Sequence, residues 1–274
     1  MNRGCSIPVC SMRCMLCSVV LTLMLCVTAA AGQDRDEAML ANAMRFLGTP
    51  YVAHTLDVAP YEEERLVVNC EEVDCTTFVE YVLALSLSGD SARGGDCSEF
   101  VRQLTRVRYR DGRVEGYASR LHYFSDWIDN GLRNGFLTDV TATCSSDTLV
   151  LHLSYMSSHP ESYPQLASSP DNFKRIAEAE RRLSGRATGY LPKDKLPADG
   201  LPWIHGGDIV AIVTSIEGLD IAHVGIAVYV GGRLSLLHAS QAAGRVVVSS
   251  DSLADLLAGK KSWAGIRVVR RRQP

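Results

Sequence analysis

The chain has 274 residues, of which 46% are hydrophobic and 22% charged, with a formal net charge of −3. That is a globular composition, and it excludes a disordered, collagenous or fibrous chain. The near-neutral charge gives no support to a nucleic-acid binder or a polybasic membrane binder, and aromatics at 7% are too sparse for a base-stacking platform.

Arg3 and Arg13 precede an apolar stretch, Met15 to Ala31, that ends in Ala29-Ala30-Ala31-Gly32. A charged start, an apolar centre and a small-residue end predict a secretory signal peptide over 1–32, cleaved near Gln33. The other reading is an uncleaved anchor helix, for which the stretch is short. Leu25 stands before Cys26, where a lipoprotein signal wants a small residue. Cleavage leaves 33–274, read as a single domain with no membrane insertion. It also removes five of the nine cysteines and leaves Cys70, Cys75, Cys97 and Cys144. A Cys97–Cys144 disulfide and two unpaired thiols are both open.

Residues 36–47 predict a helix, with Met39, Ala43, Phe46 and Leu47 on one stripe, broken by Gly48-Thr49-Pro50-Tyr51. A second helix spans 75–88. Its apolar face is Phe78, Val79, Val82, Leu83 and Leu85, and Asp74 sits at its N-cap. The middle, about 90–200, is mixed. It holds a turn at Asp111-Gly112, a helix around 121–130 closed by Gly131, and a helix around 171–184 capped by Asp171. From 208 onward the pattern is strands: 208–213, 222–230, 233–239, 245–249 and 265–270. Arg270-Arg271-Arg272 reads as a solvated tail. Helices followed by an antiparallel meander make an α+β fold.

Cys75 is the first chemical candidate. Free N–H groups and the positive end of the macrodipole at a helix start favour a thiolate there. The same N–H groups can donate to an oxyanion. A thiolate needs a base, so a histidine must come from elsewhere. Gly231-Gly232 makes a two-residue hairpin turn, so Val230 pairs with Arg233 and Gly225 lies opposite His238. His223 and His238 then share a face as diagonal neighbours. Taken singly, each histidine is more ordinary as a hydrogen-bonded structural group. Arg120, His122, Tyr123 and Trp127 cluster at a helix start and could clamp a carboxylate or a sugar. The competing reading is a solvated face over a buried tryptophan.

Asp74-Cys75-Thr76-Thr77-Phe78, Gly207-Asp208-Ile209-Val210, His223-Val224-Gly225-Ile226 and His238-Ala239-Ser240 resemble the NlpC-type cell-wall cysteine hydrolases of papain-like fold. Gly48-x-Pro50-Tyr51 resembles that family's entry motif, without its usual Trp-Gly-Gly continuation. Further segments resemble the N-acetylmuramoyl-L-alanine amidase-like branch. They are Arg65-Leu66-Val67-Val68-Asn69, Arg120 to Trp127, Met156 to His159 with Tyr163-Pro164, and Gly218 to His223. The resemblance implies a helix bearing Cys75 packed on an antiparallel sheet, with a family-specific insertion. It implies Cys75 as nucleophile, His223 as general base and then acid, and His238 as the group that orients His223. Tyr51 would help the Cys75 N–H hold the oxyanion. Arg120, His122, Tyr123 and Ser157 would meet the substrate, with Asp74 and Asp220 as further contacts. The implied substrate is a muropeptide, cut between N-acetylmuramic acid and L-alanine in the bacterial periplasm, with no cofactor, no metal and no nucleic-acid partner.

Four alternatives stand beside this reading. A γ-D-glutamyl-diamino-acid endopeptidase would use the same chemistry, with Asp74 gripping a free L-alanine amine. Acyl transfer could replace hydrolysis. Cys75, His223 and His238 could instead be zinc ligands. A catalytically dead wall-binding module is the fourth.

Overall fold

The computed structural model describes residues 36–57, 62–89 and 97–272, and the expected signal peptide lies outside them. Helices α1 (Glu37–Met44), α2 (Cys75–Ser88), α3 (Ser98–Arg108) and α4 (Phe124–Arg133) come first. Strand β1 (Leu137–Asp139), helix α5 (Val140–Cys144), strand β2 (Thr148–Val150) and helices α6 (Tyr155–Ser158), α7 (Pro164–Ala167) and α8 (Pro170–Leu183) follow. The remainder is mostly strand: β3 (Ala187–Gly189), β4 (Leu191–Pro192), β5 (Ile209–Thr214), β6 (Ile221–Val230), β7 (Arg233–Ser240), β8 (Arg245–Val248), helix α9 (Leu253–Ala258) and β9 (Trp263–Arg271).

Seven strands form one antiparallel sheet in the order β1-β9-β5-β6-β7-β8, with β4 also pairing with β9. Strands β2 and β3 pair separately. The architecture is mixed α+β, as the pattern predicts. Period-two alternation divides the sheet side chains between two cores. Ile209, Ala211, Val224, Ile226 and Val228 pack with Phe78, Val79, Val82 and Leu83 of α2. Val210, Ile212, Ala227, Leu234 and Leu236 pack with Leu253 and Leu257 of α9. A third core, with Tyr123, Leu153, Met156, Ile176 and Leu183, belongs to the insertion.

Helix α2 runs as the sequence predicts, because Asp74 and Thr77 form a reciprocal capping box. The expected single apolar face is an underestimate. Every residue from Thr77 to Ser86 is buried, as in a helix enclosed by α1, α3 and the sheet. That enclosure reaches Glu80, which must find a partner. Arg108 of α3 supplies it at 2.6 Å, lies over the Tyr81 ring, and donates to the Val67 carbonyl.

Four expectations are corrected. Gly131 lies inside α4 rather than closing it, because Leu137 packs where a Cβ would be. Ser169, not Asp171, caps α8, because Pro170 takes the first helical position. Helix α3 emerges from the mixed zone, with Phe100, Leu104 and Val107 buried along one stripe. Arg270 and Arg271 are not a solvated tail. They end β9 and make bidentate ion pairs, Arg270 with Asp208 and Arg271 with Asp36. None of the four cysteines of the described residues forms a disulfide.

Because the Glu80–Arg108 pair is sealed, breaking it strands a charge. Arg108→Met should cost about 3–5 kcal/mol in urea unfolding. Glu80→Leu combined with Arg108→Met should recover much of that loss. A single-variant cost below about 1 kcal/mol would contradict the sealed-pair description.

Candidate active site

The first turn of α2 is held from two sides. Val73 donates to the Pro50 carbonyl and accepts from Val52, which lays the 50–52 segment alongside the residue just before the cap. This places Tyr51 against the start of α2. Burial raises its phenol, and the Cys75 and Asp74 charges push the same way. Asp74 accepts from the Thr77 N–H at 2.8 Å and from its hydroxyl at 2.9 Å. The Thr76 N–H donates to the Cys75 sulfur. The Cys75 N–H has no partner among the described residues.

The sheet opens where Cys75 arrives. Ala227 exchanges hydrogen bonds with the start of β5, through Asp208 and Gly207. By alternation, the N–H of Val224 points to the β7 side. Pairing of β6 with β7 stops at Ile226–Leu237, so no β7 carbonyl meets that N–H. It donates instead to the Cys75 sulfur. The thiol therefore lies against the β6 backbone at Val224, the residue that follows His223.

His223 and His238 stand on β6 and β7. His223 Nε2 and His238 Nδ1 are 2.6 Å apart, with the rings nearly perpendicular at 86°. The diagonal relationship expected from the Gly231-Gly232 turn is present, and Val230 does pair with Arg233. The Trp263 indole lies parallel to His223 at 6.1 Å. Residue 263 gave no sequence signal, because β9 reaches His223 only through β5. With His223 Nε2 engaged by His238, Nδ1 is the nitrogen left to take a proton. The sulfur makes no hydrogen bond with either ring here. Catalytic hydrogen bonds are often loose before substrate arrives.

The protonation states differ from the sequence expectation of a thiolate. Burial raises the Cys75 thiol to about 11, and Asp74 pushes the same way. The donors from Thr76 and Val224 lower it, but by less. Burial lowers His223 to about 3, reinforced by His238, and lowers His238 to about 4. At neutral pH Cys75 is a neutral thiol, and His223 and His238 are neutral imidazoles. The macrodipole at one helix terminus does not outweigh burial of the sulfur beside a carboxylate.

The other expected contacts divide. Ser157 is half-buried at the start of α6, its N–H held by Glu180 at 3.1 Å. His122 is half-buried, tilted against the Tyr117 ring with centroids 4.3 Å apart, and bonded to the Tyr117 carbonyl. Burial, helped by Arg120 and Arg110, lowers it to about 3. Arg120 is buried against Glu64 and over the Tyr117 ring. Two expected contacts face inward. Tyr123 is buried and donates to Glu180 at 2.6 Å. Asp220 is buried and accepts from the Ser125 N–H at 2.7 Å, so it caps α4. Neither presents its polar atoms to solvent. The sequence reading missed Glu180. Its signal is a carboxylate on the apolar stripe Ile176, Glu180, Leu183. Among the described residues, no group of three or more His, Cys, Asp or Glu side chains is placed to hold a metal, and no helix is long and apolar enough to cross a membrane.

Residues 41–266 match the AmiA-like family, described as N-acetylmuramoyl-L-alanine amidase-like. A crystal structure of an N-acetylmuramoyl-L-alanine amidase from Bacteroides uniformis is 54% identical, with TM-score 0.83, covering 86% of this chain and 99% of that one. A Bacteroides fragilis protein described as a candidate xylanase is 52% identical, with TM-score 0.81, covering 84% and 99%. A Legionella pneumophila protein at 21% identity and TM-score 0.60, covering 86% and 89%, shares the fold. The comparison with curated proteins finds no match.

Alkylation of Cys75 separates the two protonation pictures. Followed by site-resolved mass spectrometry, its rate should rise steadily through pH 9 toward 11. A plateau of full reactivity already at pH 6 would instead show a thiolate–imidazolium pair.

Proposed function

We propose that this chain, which belongs to the AmiA-like family of N-acetylmuramoyl-L-alanine amidase-like proteins, is a cysteine hydrolase of peptidoglycan fragments. It cuts the amide between N-acetylmuramic acid and L-alanine, and it works in the periplasm after loss of its signal peptide. Its core is the NlpC-type, papain-like one implied by the residues around Cys75, His223 and His238. The observation that carries the reading is the 2.6 Å contact between His223 and His238 on β6 and β7, with the Cys75 sulfur held at the neighbouring Val224.

The chemistry follows from the neutral resting state. As the Cys75 sulfur attacks the lactyl carbonyl carbon of the muramic acid, His223 Nδ1 takes the thiol proton. His238 accepts from the Nε2–H and fixes the tautomer that leaves Nδ1 free. Negative charge moves onto the carbonyl oxygen, where the unused Cys75 N–H and the Tyr51 hydroxyl, held protonated by its raised pKa, donate to it. Collapse breaks the C–N bond, and His223 returns its proton to the L-alanine amine. Water, deprotonated by His223, then hydrolyses the thioester and restores the thiol. In this reading the half-buried Ser157 and His122 meet the substrate, Arg120 stays buried against Glu64 near them, and Asp74 sits beside the attacking sulfur. Tyr123 and Asp220 act from behind by holding α6 and α4. Glycoside cleavage would call for a pair of facing carboxylates, and the groups gathered here are a thiol and two imidazoles.

Digestion of a defined muropeptide, read by mass spectrometry, tests the bond. The expected product is free N-acetylmuramic acid with an intact stem peptide. A sugar that keeps L-alanine and D-glutamate would mark an endopeptidase. Cys75→Ala should abolish turnover and keep the fold. His223→Ala should cost about 10²–10⁴-fold, and His238→Ala less, because an orienting group is partly replaceable. Muropeptides should be cut faster than intact sacculi. Wild-type turnover by Cys75→Ala would overturn the proposal.

A further inference from the structure

The segment from Arg110 to Arg182 holds a second polar feature that the proposed chemistry does not use. Arg110, Arg175 and Arg182 line one surface cavity of about 300 Å³, together with Ala118, Ala179 and Glu178. Two of the guanidiniums are fixed in advance. The buried carboxylate of Asp126 accepts from Arg110 at 2.7 Å, and both its oxygens accept from Arg182 at 3.0 Å. Arg175 reaches no carboxylate. It donates to the Glu115 carbonyl at 3.1 Å. Glu178 lines the cavity and lies 4.0 Å from Arg181, which does not. Three guanidiniums thus face two carboxylates, one of them already shared between two arginines and the other turned toward a fourth cation.

Each guanidinium carries five N–H donors in a planar fork. Asp126 and the Glu115 carbonyl engage only part of them, and the remainder have no partner among the described residues. Forks of this kind match the two oxygens of a carboxylate or phosphate. Asp126 has already removed the rotamer freedom of Arg110 and Arg182, so a ligand need not do so. We propose that this cavity is an oxyanion-binding site, taking a carboxylate or phosphate group between Arg110, Arg175 and Arg182. Glu178 in the lining favours an anion that also carries a hydroxyl or ammonium donor.

Calorimetric titration of the full chain with inorganic phosphate, at constant ionic strength, tests this without requiring catalysis. The expected result is saturable binding that Arg175→Ala weakens by about tenfold or more, the equivalent of about 1.4 kcal/mol. Arg175→Lys, which keeps the charge and loses the fork, should fall between. Melting of both variants near the wild-type temperature checks that Arg175 is not a folding residue. If phosphate raises the KM for muropeptide in the wild type but not in Arg175→Ala, the natural occupant is a carboxylate of the substrate. If phosphate binds and KM does not move, the occupant is a free anion. Equal phosphate affinity in wild type and Arg175→Ala, or no saturable binding, overturns the proposal. Failure of muropeptide cleavage would leave the phosphate titration, and so this site, intact.

Discussion

The Val224 N–H has no strand partner, and much of the site depends on that. A backbone donor inside a sheet normally has a carbonyl opposite it, and leaving it empty is costly. Here β7 diverges after Leu237, and a helix terminus fills the gap with sulfur. The substitution is physically modest, because sulfur is a weak acceptor. Its consequence is large. It ties the first turn of α2 to the β6 backbone one residue after His223.

Burial then sets the chemistry. Cys75, His223 and His238 are all shifted toward their neutral forms by the same desolvation that makes the core. Two neutral imidazoles can share one hydrogen bond without charge, and the 2.6 Å contact does so. An acidic orienting residue would hold a positive ring better and would also favour a resting ion pair. The His–His arrangement leaves the base uncharged until substrate completes the site. The insertion is tied to the same strand. Gly218 accepts from Ser154 and Tyr155, and Asp220 caps α4 from the stretch leading into His223. Glu180 joins Tyr123 to Ser157 behind it. Polar groups buried this way are satisfied within the protein, and they fix loops that lack a continuous apolar face.

Features with local causes were legible in the sequence. Asp74 and Thr77 define the start of α2, and Gly231-Gly232 sets the β6–β7 register that brings His223 and His238 together. Features with distant causes were not. Leu137–Asp139 and Leu191–Pro192 are strands only because β9 offers the edge that β5 leaves open. Arg270 and Arg271 look like a terminal basic cluster until Asp208 and Asp36 are folded beside them. The expected thiolate meets a distant cause of the same kind, burial that raises the thiol. Sequence shows the helix terminus that would stabilise the charge, but not the burial that opposes it. Tyr123 and Asp220 stand in segments that resemble the amidase-like branch, and their polar atoms turn inward to support the helices around the site.

The tautomers of the two rings test the central claim most directly. Imidazole nitrogen shifts of His223 and His238 should be recorded by NMR in ¹⁵N-histidine-labelled protein across pH 5–8. The account predicts two neutral rings throughout, with the His223 proton on Nε2 and Nδ1 bare. An imidazolium at His223 near pH 7, or a His223 proton resident on Nδ1, would contradict it.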